Sequence, residues 1–158
     1  MKRLILAFAV VAVSSVTAYA QPKSSSFSIA ANAGIPTTEG LSFAYGADLQ
    51  ADFGVATGLK ITASAGYEDY SVKGGGIDLS GVIPLLAGAK FALGSEKLYG
   101  HAQLGYAVST AKGGSGAFAY APSIGYYLSD NFDASIKYLA FGNDGTIGSI
   151  NLRLAYNF

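Results

Sequence analysis

The sequence of 158 residues has no cysteine and no tryptophan, and it has a single histidine and a single methionine. Without cysteine, a disulfide framework, a zinc–thiolate site and a thiol nucleophile are all excluded, and one histidine cannot complete a closed transition-metal site. Charged residues make up only 13% of the chain, about half of the roughly 25% usual in soluble domains, which disfavours an ordinary cytosolic enzyme. Ten basic residues balance ten acidic ones, so we expect no nucleic-acid surface, and we expect no cofactor and no metal.

The N-terminal segment has the parts of a secretory signal peptide in their usual order. Lys2 and Arg3 supply positive charge, residues 4–13 form an apolar run, and Ala18-Tyr19-Ala20 is a cleavage site of the A-x-A type. The run is too short to cross a bilayer as a helix. We therefore expect residues 1–20 to be removed after export and residues 21–158 to form one domain.

Apolar and polar residues alternate along most of that domain. Every odd position from Leu41 to Phe53 is apolar or aromatic, whereas the even positions are small or polar in nearly every case. A period of two indicates a β-strand, and this length fits a tilted transmembrane strand of about 9–11 residues better than a globular strand of about five or six. Seven further segments share the pattern, with first apolar residues at Phe27, Leu59, Ile77, Leu98, Phe118, Phe132 and Ile150.

Eight strands of this kind predict an all-β fold, an antiparallel up-and-down transmembrane β-barrel, since an even number closes without leaving an edge in lipid. A soluble β-sandwich is the alternative, but its water-facing side would be rich in Lys and Glu. Here that side is mostly Ser, Ala, Gly, Asn and Gln. Aromatic residues also concentrate at strand ends, as the two headgroup interfaces of a membrane favour. The longer connectors, predicted at 35–40, 68–76, 109–116 and 142–146, should be external.

Charged residues on the polar face are predicted to meet inside the barrel, and they include four acids and four bases: Asp48, Asp52, Lys60, Asp78, Lys90, Asp133, Lys137 and Arg153. They could form an ion or proton path, or a plug in which opposite charges neutralise each other. The narrow interior of eight strands and the equal numbers favour the plug.

Two local features are also predicted. If Phe53 and Leu59 flank a turn, Asp52 lies opposite Lys60 and Tyr45 lies opposite Tyr67. Proline donates no hydrogen bond to a neighbouring strand, so Pro84 and Pro122 should each mark a bulge or a locally broken ladder.

The last segment, 150–158, alternates up to a terminal aromatic residue, with Leu154, Tyr156 and Phe158 on one face. It resembles the C-terminal signature of bacterial outer-membrane barrels, and the whole exported domain resembles the small eight-stranded OmpA/OmpX-type family. The resemblance implies a location in the Gram-negative outer membrane, contact with its lipid and lipopolysaccharide, and recognition of the last strand by the barrel-assembly machinery. It also implies a monomer, in a family that ranges over envelope integrity, adhesion and defence.

Three functions remain open. The leading hypothesis is a non-enzymatic barrel with a role in envelope structure or surface interaction, and the alternative is a narrow channel or transporter for small molecules. The third is a lipid A-modifying enzyme, for which His101 would be the general base near Tyr99. The lipid A deacylase type has a serine two residues after its histidine, whereas this chain has Gln103. We therefore expect His101 to be a structural residue of the interior and expect no catalytic residues.

Overall fold

The computed structural model describes residues 25–74, 79–111, 114–142 and 145–158. They form eight strands: β1 (Ser25–Pro36), β2 (Leu41–Ala56), β3 (Leu59–Val72), β4 (Leu79–Ala92), β5 (Leu98–Ser109), β6 (Gly116–Tyr127), β7 (Phe132–Phe141) and β8 (Ile147–Asn157). The predicted signal peptide at 1–20 and the predicted interior residue Asp78 lie outside the described residues. In the part of the chain that is described, no helix is long and apolar enough to span a membrane.

The eight strands form a closed barrel, which confirms the predicted fold. Each strand pairs antiparallel with the next in sequence, and β8 pairs back onto β1. We call the end where β1 begins and β8 ends the termini end, and the opposite end the loop end. Because the sheet closes on itself, no strand edge is left unpaired, and this is the condition for placing a sheet in hydrocarbon.

Alternation along the strands sends apolar side chains outward and polar side chains into the barrel. On β5, Leu104 and Tyr106 are exposed on the outside, whereas His101 and Gln103 are buried inside. Outward side chains on other strands are also exposed, for example Phe27 at 60% and Ile136 at 58% of their surface. An apolar outer belt of this kind faces lipid in transmembrane barrels.

Aromatic side chains form two outward bands, at the strand ends where the sequence predicted them. The termini-end band is made of Phe27, Phe53, Phe91, Tyr126, Phe132, Tyr156 and Phe158, and the loop-end band of Phe43, Tyr45, Tyr67, Tyr106, Phe118, Tyr120 and Tyr138. Neighbouring rings touch, with centroids 5.1 Å apart for Phe132–Tyr156 and 6.1 Å apart for Tyr120–Tyr138. Such bands are typical of the two membrane–water interfaces.

The alternation reverses its polarity near the loop end, beyond the aromatic band. On β3, Tyr70 and Val72 pack inside the barrel, whereas Asp69, directly before Tyr70, lies on the outward side, where it accepts a hydrogen bond from the Tyr67 hydroxyl. The prediction that 68–76 is a connector is therefore wrong, because β3 continues to Val72. A reversal of this kind is expected where strands pass beyond the lipid, since the apolar environment there is the inside of the barrel.

The predicted facing pairs between β2 and β3 are wrong: Asp52 with Lys60, and Tyr45 with Tyr67. The structure shifts the register by two residues and places Thr62 opposite Asp52. The cause is the hairpin, in which a bulge between Gly54 and Ala56 leads into a tight turn at Gly58, whose φ is +72°. A shift of two leaves every side chain on its predicted face but changes its cross-strand partner.

The two prolines within strands, Pro84 and Pro122, interrupt one ladder each and shift no register. Pro84 pairs normally with Ala107 on β5, and Pro122 pairs normally with Ala102 on β5. On their other sides, the β3–β4 ladder lacks pairs at residues 83–84 and the β6–β7 ladder lacks pairs at residues 121–122. The sequence analysis predicted a bulge or a locally broken ladder at each proline, and the structure shows the broken ladder.

Candidate functional site: the barrel interior

The loop end of the interior is closed by packed apolar side chains, which we call the apolar plug: Leu41, Ala44, Tyr70, Val82, Leu86, Ala107, Ala119, Ala121, Leu139 and Phe141. Leu139, Ala119 and Ala121 have no exposed surface at all. The sequence analysis predicted a plug made of charges and missed this one. Its signal is present in the sequence, because the inward positions change from polar to apolar toward the loop ends of the strands.

A buried carboxylate lies next to the apolar plug. Glu68 is 2% exposed, and its Oε1 accepts hydrogen bonds from the hydroxyls of Tyr70 (3.0 Å) and Ser149 (2.7 Å) and from Nδ2 of Asn151 (3.0 Å). None of the ion pairs found in the described ranges includes Glu68. Sequence reasoning missed this group because it assigned Glu68 to a connector.

Asp48 is the centre of an ionic cluster in the middle of the interior. Arg153 donates to both carboxylate oxygens, with Nη2–Oδ1 at 2.8 Å and Nε–Oδ2 at 3.1 Å. Lys137 Nζ and Asn32 Nδ2 reach Oδ2 at 3.3 and 2.9 Å. Arg153 also approaches Asp133, with Nη1–Oδ1 at 3.6 Å. Charges withdrawn from water are stable only when paired and hydrogen-bonded in this way.

Asp133 extends the cluster toward the termini end. The Tyr99 hydroxyl donates to its Oδ1 at 2.6 Å, and Asn157 Nδ2 donates to its Oδ2 at 3.0 Å. Asn157 is the last residue of β8, so the network reaches the end of the barrel. The four charged members of the cluster are two acids and two bases, and they neutralise each other.

Asp52 and Lys90 form a second ion pair closer to the termini end. Lys90 Nζ lies 2.8 Å from Asp52 Oδ2, and the side chains are 3% and 4% exposed. Gln50 Nε2 donates to the other carboxylate oxygen at 2.6 Å. Lys60, the predicted partner of Asp52, instead lies over the Tyr127 ring at 5.8 Å from its centroid and takes part in none of the ion pairs between described residues.

His101 faces the interior from β5 and is buried. Its Nε2 lies 2.8 Å from Thr62 Oγ1 on β3, so a hydrogen bond inside the barrel joins β3 and β5 past the intervening strand β4. Gln103, two residues further along β5, donates to Ser64 Oγ at 2.8 Å. The histidine therefore faces away from the lipid side and has no serine at the position where the deacylase type has one.

The termini end is open and contains a cavity of about 1090 Å³, which we call the vestibule. Its walls include Lys60, Lys90, Tyr99 and Tyr127, and its rim carries Glu96 and Asp130 from the turns. The two rings are 4.9 Å apart, and Lys90 Nζ lies 4.7 Å from the Tyr99 centroid. The interior is thus accessible from one end and filled with side chains at the other.

The outward face of β8 carries the predicted assembly signal. This face exposes Leu154, Tyr156 and Phe158, and the Phe158 residue is 76% exposed. The Tyr156 and Phe158 rings meet edge to face at 5.2 Å. The Phe158 N–H donates to the Phe27 carbonyl at 2.8 Å, so backbone pairing continues to the last residue.

Two kinds of chemistry are poorly supported by this arrangement. Among the described residues, no three His, Asp or Glu side chains are grouped closely enough to hold a metal ion. A continuous water path through the interior would have to cross the apolar plug, whose side chains are packed against each other. What the interior offers is a neutralised ionic cluster and a polar, aromatic vestibule.

No protein-family model matches the chain, and comparison with characterised protein sequences finds no match. Comparison with solved structures finds small outer-membrane barrels at low identity. The crystal structure of Ail, the attachment invasion locus protein of Yersinia pestis, is 18% identical, with a TM-score of 0.58 over 85% of this chain and 97% of that one. The N-terminal β-barrel domain of Pseudomonas aeruginosa OprF is 16% identical, with a TM-score of 0.60 over 84% and 97% of the two chains.

The outer-membrane enzyme PagL is also similar, at 16% identity and a TM-score of 0.55 over 82% of this chain and 98% of that one. The likeness covers nearly the full length of these proteins and shows a shared fold. Since one of them is an enzyme, the fold alone does not decide between catalytic and non-catalytic functions.

Proposed function

This chain has the fold of a small eight-stranded outer-membrane β-barrel, and we propose that it works as a non-enzymatic integral barrel in the outer membrane of a Gram-negative bacterium. Its role would lie in envelope structure or surface interaction. The observation that carries the proposal is the combination of an apolar, aromatic-banded exterior with an interior that is filled at one end. The exterior suits a lipid environment, and the filled interior argues against a channel.

The catalytic alternative has little support in the interior. A lipid-modifying barrel needs its catalytic groups on the surface that its lipid substrate reaches. His101 is instead buried inside, where it is hydrogen-bonded to Thr62. We therefore favour a structural role for His101 over the enzymatic function known for PagL.

The orientation and assembly of the barrel follow from the same proposal. The termini end would face the periplasm and the loop end the outside, as in barrels with short periplasmic turns. The outward row Leu154, Tyr156 and Phe158 would be read by the barrel-assembly machinery during insertion. The signal peptide would be removed on export, and the folded barrel would be a monomer surrounded by phospholipid and lipopolysaccharide.

Planar-bilayer recordings of the purified, refolded protein test the channel question. We expect no single-channel steps, and a porin added to the same bilayers verifies that steps would be detected. Mass spectrometry of lipid A from cells with and without the protein tests the enzyme question, and we expect identical spectra. Reproducible conductance steps or an altered lipid A would overturn the proposed function.

Because the chain has no cysteine, single introduced cysteines can report the orientation. Thr38 lies between β1 and β2 at the loop end, and Ser95 lies between β4 and β5 at the termini end. In intact cells, a membrane-impermeant maleimide should label Thr38→Cys and leave Ser95→Cys unlabelled until the outer membrane is opened. The opposite labelling would contradict the orientation.

A further inference from the structure

Two lysines face each other in the wall of the vestibule. Lys60 on β3 and Lys90 on β4 are direct cross-strand partners, and both point inward. Like charges placed directly opposite each other destabilise a pair of strands. Asp52 lies 2.8 Å from Lys90 and also attracts Lys60, but one carboxylate cannot neutralise both ammonium groups.

The other acids of the vestibule do not remove this imbalance. Glu96 and Asp130 lie on exposed turns at the rim, and neither forms an ion pair with Lys60 in the part of the chain that the structure describes. Exposed rim charges are screened by salt and water. The wall therefore presents one cation that is free to bind an anion, beside a second cation that is already paired.

An aromatic surface lies beside the two ammonium groups. Lys60 Nζ and Lys90 Nζ are each 5.8 Å from the Tyr127 centroid, and the Tyr99 ring packs against Tyr127 at 4.9 Å. A ligand in contact with Tyr127 would thus have Lys60 within reach of a charged substituent, and the buried Lys90 would add to the positive potential there. Lysine binds phosphate and carboxylate by charge-assisted hydrogen bonds, and tyrosine stacks on flat rings.

We propose that the vestibule binds a small, water-soluble anion in which a flat ring carries a phosphate or carboxylate. The anionic group lies against Lys60, with the buried Lys90 behind it, and the ring lies against Tyr127. The cavity, of about 1090 Å³, is large enough, since small-molecule sites usually measure about 300–1,000 Å³. Binding to the open end does not depend on the orientation of the barrel; only the inference that the ligand would enter from the periplasm rests on the proposed function.

The test is an NMR titration of the protein in nanodiscs of zwitterionic lipid, with phenyl phosphate and inorganic phosphate as probes. Phenyl phosphate should give saturable shifts of the Lys60, Lys90 and Tyr127 amides, and it should bind several-fold more tightly than inorganic phosphate. Lys60→Gln should weaken binding by about tenfold, as expected for the loss of a charged hydrogen bond. Tyr127→Leu should remove the preference for phenyl phosphate.

Lys97→Gln is the matched control, because Lys97 is an exposed lysine in the turn between β4 and β5 and does not line the vestibule. This variant should bind both probes as the unmodified protein does. Shifts that do not saturate, or an equal loss in Lys60→Gln and Lys97→Gln, would overturn the proposal. Gel mobility of the folded form verifies that each variant is a barrel, so a failure of folding is distinguished from a failure of binding.

Discussion

Replacing Asp52 by asparagine tests how the interior of the barrel is stabilised. The substitution removes the carboxylate charge and nearly keeps the shape of the side chain. An oxygen at this position can still accept the hydrogen bond from Gln50 Nε2. Lys90 is then left inside the barrel without its counter-ion.

The expected loss follows from the geometry of the pair. The two charged groups are 2.8 Å apart, and both side chains are less than one-twentieth exposed, at 3% and 4%. Breaking a buried pair by removing one partner costs about 3–5 kcal/mol. Water in the vestibule and the Tyr99 ring, 4.7 Å from Lys90 Nζ, relieve part of this cost. We therefore expect Asp52→Asn to lower the free energy of unfolding by about 3 kcal/mol.

A second substitution should reverse most of that loss. Lys90→Met in the Asp52→Asn background removes the stranded charge and keeps a side chain of similar length. It should recover about 2 kcal/mol, because replacing both members of a buried pair by uncharged groups is often nearly neutral. Urea-induced unfolding from lipid vesicles measures the free energies. With no tryptophan in the chain, circular dichroism and the gel mobility of the folded form provide the signals.

Lys60→Gln in the same background is the control. Lys60 is the partner that a turn flanked by Phe53 and Leu59 would give to Asp52, but the structure places it two positions away from that alignment. It should recover less stability than Lys90→Met, because it relieves only the repulsion between the facing Lys60 and Lys90 and leaves Lys90 buried without a counter-ion. Equal rescue by Lys60→Gln and Lys90→Met, or additive losses from Asp52→Asn and Lys90→Met, would refute the assigned ion pair.

Three further predictions concern other parts of the barrel. Deleting Phe158 should impair outer-membrane assembly, measured by cell fractionation and folded-form gel mobility; unchanged surface levels would contradict its role as an assembly signal. Leu139→Ala, in the apolar plug, should lower unfolding free energy by about 2–5 kcal/mol in urea titrations, and a loss well below 1 kcal/mol would show a loosely packed plug. Glu68→Ala should destabilise more than Glu68→Gln in the same titrations, since only alanine leaves the donors of Ser149 and Asn151 unsatisfied; equal losses would contradict this.

The sequence predicted the faces of the strands correctly because the period of two is a local property. Each residue of β5 can be assigned to lipid or to the interior from its neighbours alone, as Leu104 and Gln103 illustrate. The register between strands is not local. Shifts of two residues leave all faces unchanged, so the alternating pattern cannot distinguish Lys60 from Thr62 as the residue opposite Asp52. The bulge between Gly54 and Ala56 sets the register, and nothing in the composition of the turn indicated that bulge.

The loop end of the interior was missed for a different reason. The rule of apolar outside and polar inside applies only at the depth of the lipid. Beyond that depth Tyr70 points inward and Asp69 outward, so the pattern of apolar outward and polar inward residues on β3 ends at Glu68. The depth at which the rule reverses depends on where the membrane begins, and the sequence of a single strand does not indicate that boundary. The ionic cluster was predictable in membership but not in pairing, because Arg153, Lys137 and Asp48 come from three different strands.

The closed loop end also determines where an electric field across the membrane would fall. Salt solution in the vestibule would bring the potential of the termini side to the inner wall of the cavity, so most of any voltage would drop across the packed part of the interior beyond it. A unit charge crossing that part would gain or lose about 2.3 kcal/mol per 100 mV. The cluster of Asp48, Asp133, Lys137 and Arg153 extends from the middle of the interior toward the termini end, and its two acids and two bases sum to zero. A voltage therefore exerts a torque on this cluster and no net force.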